Sequence, residues 1–258
     1  MQSVKHYSVT ILILLLVSSA VYAESRERIV SLDLCSDWML LRYGAASQQV
    51  IYSPLLYRYP LEWIPSGLPV HDGSLEQVLE LNPDLVIAGE FNATQLSRRL
   101  QQLDIHVVVM PLPLSLPATV KYIAQFKQQI NAPVTTETFQ LQAYSKRDQS
   151  LLVLGANGIA AGLDTLENDI LQQSGWSNYL QHSGFVSMDL EQLVANPPAA
   201  MVYSKPLSNS LANLFASHPA LARIATQHNK MLDEAWRWQC PGPWTFDLVK
   251  ELAQWQTN

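Results

Sequence analysis

The chain reads as an α/β protein of two lobes built on mainly parallel sheets. Three observations predict this. Leu75-Glu76-Gln77-Val78-Leu79, followed by Pro83 and Leu85-Val86-Ile87, is echoed by Leu190-Glu191-Gln192-Leu193-Val194, Pro198 and Met201-Val202, every pair 115 positions apart. Short apolar runs alternate with helical stretches, the pattern of parallel strands covered on both faces. Between the two copies, one stretch around residues 114–149 carries no strand signal and marks the boundary between lobes.

The first strand is expected at Arg28-Ile29-Val30-Ser31-Leu32, ending in the polar turn Asp33-Leu34-Cys35-Ser36. A helix follows through Trp38-Met39-Leu40-Leu41 and stops near Gly44, then a short strand at Val50-Ile51-Tyr52. A loop rich in aromatic residues and proline holds Tyr57, Tyr59, Pro60, Trp63 and Pro65. Each repeated unit reads as a short helix, a proline stop and a buried strand. Ser74 or Asp189 caps the helix, a Gln three residues later suits a capping box, and proline cannot continue the helical ladder. Thr94 to Leu103 is helical and Val107 to Met110 a strand. Thr119 to Gln129 and Thr135 to Arg147 both read as helices, separated by Ala132-Pro133. From Leu151-Leu152-Val153-Leu154 the strand–helix rhythm resumes, and Pro243 opens a closing helix.

Residues 1–23 read as a signal peptide. Lys5 and His6 precede an apolar run from Val9 to Val17, and Val21-Tyr22-Ala23 supplies the small residues of a cleavage site near Ala23. The run is too short for a membrane span. The expected organisation is a leader over 1–23, an N-terminal lobe over 24–113, an inter-lobe helical linker over 114–149 and a C-terminal lobe over 150–258. Net charge is −6, and removing Lys5 from the 16 basic residues makes it −7. An acidic chain without a basic stripe argues against nucleic acid as a partner.

The two cysteines, Cys35 and Cys240, lie far apart in the chain. In an oxidising compartment an even pair is read first as a disulfide, worth ~4 kcal/mol in the chain-entropy model, with two free buried thiols as the alternative. No histidine stands at ligand spacing from either, so a metal site is not expected there. A zinc or manganese binder would need convergent ligands, and His71, His106, His182, His218 and His228 form no such cluster in sequence. A hydrolase is disfavoured too, because the chain has no Gly-x-Ser-x-Gly elbow and no His-Glu-x-x-His helix.

On four segments the chain resembles the periplasmic substrate-binding proteins of ABC importers for cobalamin and ferric siderophores. These are Arg28 to Leu32 with Gly44, Leu75-Glu76 through Asn82-Pro83-Asp84-Leu85-Val86-Ile87-Ala88, Gly162 through Gly175 with Asn178 and Gly184, and Asp189-Leu190-Glu191 through Pro198. The resemblance implies two α/β lobes joined by a single long helix, with a ligand cleft between them. It also implies a monomer in the periplasm that is not an enzyme, has no prosthetic group, and partners the permease dimer of an inner-membrane ABC importer. The transported ligand is then a corrinoid such as cobalamin, or else a ferric siderophore or haem. Arg58, Arg223 and Arg237 form no anion-gripping cluster in sequence, which favours the corrinoid over a strongly anionic siderophore. A transporter-free interaction domain of the same fold is a further alternative.

In that family one glutamate per lobe docks on permease arginines, positions that fall on Glu76 and Glu191. Without the resemblance, each would read as an acid complementing a helix dipole. Ligands in open α/β folds bind beyond the carboxyl ends of strands. This places Asp33, Tyr57, His71, Asp72, Tyr203, Trp236 and Trp238 at the expected cleft, the aromatic ones as flat apolar walls. A Cys35–Cys240 bond would brace the first-lobe turn against the segment holding Trp236 and Trp238.

Overall fold

The computed structural model describes residues 27–59, 61–141, 144–155, 157–204, 215, 218–227, 229–233 and 236–255. The expected leader and its cleavage point near Ala23 lie outside these residues.

In the first lobe β1 (Arg28–Ser31), β2 (Gln49–Ile51), β3 (Leu85–Gly89) and β4 (Val107–Met110) form a wholly parallel sheet in the order β2-β1-β3-β4. Its strands are apolar on consecutive residues because both faces are covered. Ile29, Leu85 and Ile87 pack with α1 (Leu34–Tyr43) and α4 (Leu116–Gln129). Val30, Val86 and Ala88 pack on the other side with α2 (Leu75–Glu80) and α3 (Thr94–Gln102). Each large side chain removed from water in this way contributes about 1.5–3 kcal/mol.

The second lobe holds six strands in the order β10-β9-β5-β6-β8, with β7 paired to β5. β5 (Ser150–Leu154), β9 (Ala200–Ser204) and β10 (Asn229–Asp233) are parallel. β7 (Ser177–Asn178) also runs parallel to β5, while β6 (Ile159–Ala161) and β8 (Phe185–Ser187) add antiparallel pairings. The sheet is therefore mixed, and β6, β7 and β8 are too short to stand out as periodic runs. α6 (Leu190–Ala195) and α7 (Pro219–Gln227) cover one face, and α5 (Leu166–Gln173) with α9 (Trp244–Gln254) covers the other. Leu151, Val153, Ala200 and Val202 on that second face join the same buried cluster as Ile29 and Ile87, so one apolar core runs through both lobes.

The repeated units differ in detail. Val78 and Leu193, the matched anchors, are both fully buried, and Pro83 and Pro198 are buried behind them. Ser74 Oγ accepts from Gln77 N at 3.2 Å, while the Gln77 side chain reaches the backbone of Asp72 rather than that of Ser74. In the second copy Asp189 Oδ1 accepts from Glu191 N at 2.8 Å. Asn82 turns left-handed (φ 45°) after α2, a conformation asparagine tolerates better than most residues.

One helix expectation fails. The described residues of the 135–147 segment are not helical: 132–141 and 144–147 run without regular structure after α4 ends at Gln129. Pro133 and the β-branched pair Thr135-Thr136 weaken any helix there. Tertiary bonds take over the backbone: Tyr144 N donates to Gln173 O at 3.1 Å, and Arg147 N donates to Gly175 O at 2.8 Å. Gly175 (φ 88°) is needed at this contact, since a Cβ would fall 2.3 Å from Ser145 O. The segment is thus a strap, with Phe139 stacked on Phe246 at 4.6 Å and Glu137 accepting from Arg42 and Tyr43 at 2.9 and 2.6 Å. Trp236 to Trp238 begin a short helix, α8 (Trp236–Gln239).

Candidate functional site

Asp33 is almost fully buried at the turn between β1 and α1. Its Oδ1 accepts from Cys35 N and Ser36 N at 2.9 and 3.1 Å, and its Oδ2 from Ser36 Oγ and Gly89 N, both at 2.7 Å. The carboxylate is an N-cap that also ties in the end of β3. His71 is likewise interior. Gly73 N donates to its Nδ1 at 3.0 Å, which leaves Nε2 to donate to Ser31 O at 2.7 Å. Both residues build the turn; neither ring nitrogen of His71 nor either oxygen of Asp33 is turned over to a ligand.

Asp37 lies one turn further along α1 and is fully buried. Its oxygens accept from Ser53 N at 2.9 Å and Ser53 Oγ at 2.5 Å. Burial outweighs these bonds and pushes the carboxyl from its ordinary 3.8 up to about 7. A carboxyl raised in the folded state stabilises while protonated. That contribution is complete below about pH 4 and is lost as pH rises through about 7, a swing of about 4 kcal/mol. Asp37→Asn keeps an acceptor for Ser53 N and is expected to flatten this decline. Thermal melts from about pH 4 to about pH 8 measure it, and identical slopes for the two proteins would contradict it.

The other expected cleft residues are scattered. Tyr57 is half-exposed, its hydroxyl donating to Pro65 O at 3.0 Å and accepting from Leu68 N at 2.9 Å. Asp72 is exposed, and hydrogen bonds from the Ser74 side chain and from Ser74 N, the latter to Oδ1 at 2.8 Å, hold its carboxyl below the usual range. It therefore shapes the entry to α2. Tyr203 is buried among Leu152, Leu154 and Leu221, on the face covered by α6 and α7, and burial pushes its hydroxyl up. Trp236 opens α8, and its side chain lies outside the described residues. Glu76 and Glu191 are exposed in the first turns of α2 and α6.

The C-terminal segment clasps the first lobe. Cys35 and Cys240 form a disulfide, as expected, and the Tyr59 hydroxyl donates to Gln239 Oε1 at 2.7 Å. Trp38 is fully buried and meets Tyr59, Trp63 and Trp244 edge-on at 5.8, 6.1 and 5.9 Å. Such pairs add about 0.5–1.5 kcal/mol beyond area burial.

Two hollows accompany this clasp. One of about 700 Å³ is walled by α1, α9 and the strap and contains none of the expected cleft residues. The other, about 240 Å³, lies between the lobes. Leu112 and Leu114 come from the segment after β4, Leu166 and Glu167 from the start of α5, Phe185 from β8, and Trp238 and Gln239 from α8. Among the expected cleft residues with described side chains, Trp238 is the one that lines it. Leu114 and Phe185 are 55% and 58% exposed. The second hollow has mainly apolar walls with the polar side chains Glu167 and Gln239 among them. Among the described residues no cluster of three or more metal-ligating side chains occurs, and no helix is long and apolar enough to cross a membrane.

No family model matches the chain, and no curated protein matches it. Solved structures do. A periplasmic haem binding protein from Pseudomonas aeruginosa superposes with a TM-score of 0.67 at 19% identity, over 90% of this chain and 95% of that one. The fold is that of the periplasmic solute-binding proteins. The periplasmic vitamin B12 binding protein of Vibrio cholerae matches at TM-score 0.58 and 18% identity, over 89% and 98% of the two chains. A possible iron-binding periplasmic solute-binding protein from Staphylococcus epidermidis matches at TM-score 0.63 and 18% identity, over 88% and 97%. These likenesses run nearly the full length of every partner, so both lobes and their connection share one architecture.

Proposed function

We propose that this protein is a periplasmic solute-binding protein that captures a bulky metal chelate and delivers it to an inner-membrane ABC importer. The observation that carries this reading is the apolar hollow between two lobes of the solute-binding fold, with Trp238, Phe185 and Leu114 on its walls. A flat macrocycle offers large apolar faces to such walls. Similar structures bear the names of haem, vitamin B12 and Fe3+-hydroxamate systems. The cargo is a corrinoid in our preferred reading, because no lysine or arginine is among the described residues lining the hollow. Haem or a ferric siderophore is the second reading, favoured by the several haem-binding proteins among the similar structures.

Delivery runs through Glu76 and Glu191, each offering a carboxylate to a permease guanidinium in a charge-assisted bond. Two contacts on one rigid body also fix orientation. Residues 1–23 direct export in this reading, and the mature chain acts as a monomer without enzymatic activity. Native mass spectrometry of the exported protein, mixed in turn with cyanocobalamin, haemin and a ferric hydroxamate, tests the cargo. Retention of cyanocobalamin alone is the expected result; retention of none of the three would refute the binding role.

A further inference from the structure

Glu167 stands in the wall of the inter-lobe hollow in the first turn of α5, where its carboxyl takes hydrogen bonds from Thr165 and from its own backbone. The N-terminus of α5 is capped by Thr165, whose Oγ1 accepts from Asn168 N at 3.2 Å and donates to Gly162 O at 2.8 Å. The other acid of this turn, Asp169, is used: its Oδ2 accepts from Leu116 N at 2.6 Å. Glu167 forms no ion pair among the described residues, and its polar neighbours are Thr165 and its own backbone. It lines the hollow together with Leu112, Leu114, Phe185 and Trp238.

The second polar side chain of the hollow is Gln239. Its Oε1 accepts from the Tyr59 hydroxyl, which orients the amide and makes Nε2 its donor end. The described lining of the hollow therefore holds one carboxyl, Glu167, and one amide, Gln239, among apolar residues. We propose that Glu167 is the specificity-determining residue of the cleft, selecting a chelate edged with uncharged hydrogen-bonding groups such as carboxamides over one edged with carboxylates. This rests on the solute-binding reading above and names the edge chemistry of its cargo.

The physical basis is the low polarity of the wall. A carboxamide N–H donates to Glu167 while its carbonyl accepts from Gln239, satisfying both partners at once. A ligand carboxylate placed there meets a like charge with no cation among the described lining residues to offset it. A site built to hydrogen-bond one edge discriminates strongly against an edge that cannot answer it.

Quenching of tryptophan fluorescence by cyanocobalamin, whose edge carries carboxamides, and by haemin, whose edge carries carboxylates, tests the assignment on the full mature chain. The wild type is expected to prefer cyanocobalamin by about 100-fold or more. Glu167→Gln, which removes the charge but keeps a hydrogen-bonding side chain of the same shape, should hold cyanocobalamin within about threefold of the wild type and bind haemin at least about tenfold more tightly, whereas Glu167→Leu should lose about 10–100-fold for cyanocobalamin. Glu167→Lys should reverse the order by weakening cyanocobalamin and strengthening haemin at least about tenfold. Circular dichroism melts show whether each variant is folded, and Glu167→Gln suffices if Glu167→Lys is not. A wild type that binds one chelate with a preference unmoved in the variants overturns the role of Glu167 alone. A wild type that prefers haemin overturns it too. Binding of neither probe overturns the solute-binding reading itself.

Discussion

Replacing Glu76 and Glu191 together with alanine is expected to abolish ligand uptake by cells while leaving ligand affinity in solution unchanged. Both side chains are exposed, so their removal opens no cavity. The helix caps rest on Ser74 and Asp189, not on the glutamates, so the folding cost is that of a helix-dipole interaction, under about 1 kcal/mol. A hydrogen bond to a charged group contributes about 1.5–3 kcal/mol, so each single variant should reduce transport about 10- to 100-fold. Two such contacts on one body act cooperatively, and the double variant should transport nothing measurable. Uptake assays in cells expressing the importer, paired with binding titrations, separate the two quantities. Weakened binding with undiminished transport per bound ligand would place these side chains in the cleft and not at a docking face.

The second large effect concerns the Cys35–Cys240 bond. It closes a chain separation of 205 residues, and removing a native disulfide costs about 2–5 kcal/mol. For a chain of this size the expected fall in Tm is about 5–15 °C. Cys35→Ser with Cys240→Ser, compared with the oxidised wild type by calorimetry, measures it. The loss should be accompanied by greater exposure of Trp38 and Trp244, because the bond pins the segment carrying Trp244 against α1. A fall in Tm below about 2 °C would mean that the aromatic clasp holds that segment without the covalent link.

Much of the architecture was legible before any coordinates. The exact offset of the repeated units predicted two lobes, and the apolar runs at Val86-Ile87-Ala88 and Leu151-Leu152-Val153 predicted their central strands. Periodicity marks long or fully covered elements, and these are both. It misled at 135–147, where Phe139 and Tyr144 dock individually on α9 and the end of α5. Bonds from distant residues decided the backbone there, and no local pattern encodes them. Strands β6, β7 and β8 were missed because two or three residues cannot show an alternation.

The candidate site was less legible, again for physical reasons. Asp33 and His71 carry the residue types of a ligand site and follow strand ends, yet the same position suits them to capping and turn-making. Trp238 could be anticipated from its aromatic neighbours. Glu167 could not. It follows Thr165 and Leu166 in an ordinary helix start, and its setting arises from residues 112–114, 185 and 238–241, brought together by the fold. The motif Thr165-x-x-Asn168 announces the helix and says nothing of what its second residue faces.

The apolar core that runs unbroken through both halves has a consequence for how such a carrier would be read by its importer. With the strap, the disulfide and the tryptophan clasp also crossing between the halves, the distance from Glu76 to Glu191 should stay nearly constant whether cargo is aboard or not. A membrane partner gauging that spacing alone would greet full and vacant carriers alike. Vacant carriers would then compete for its attention, and transport should slow when the protein is present in large excess over its cargo.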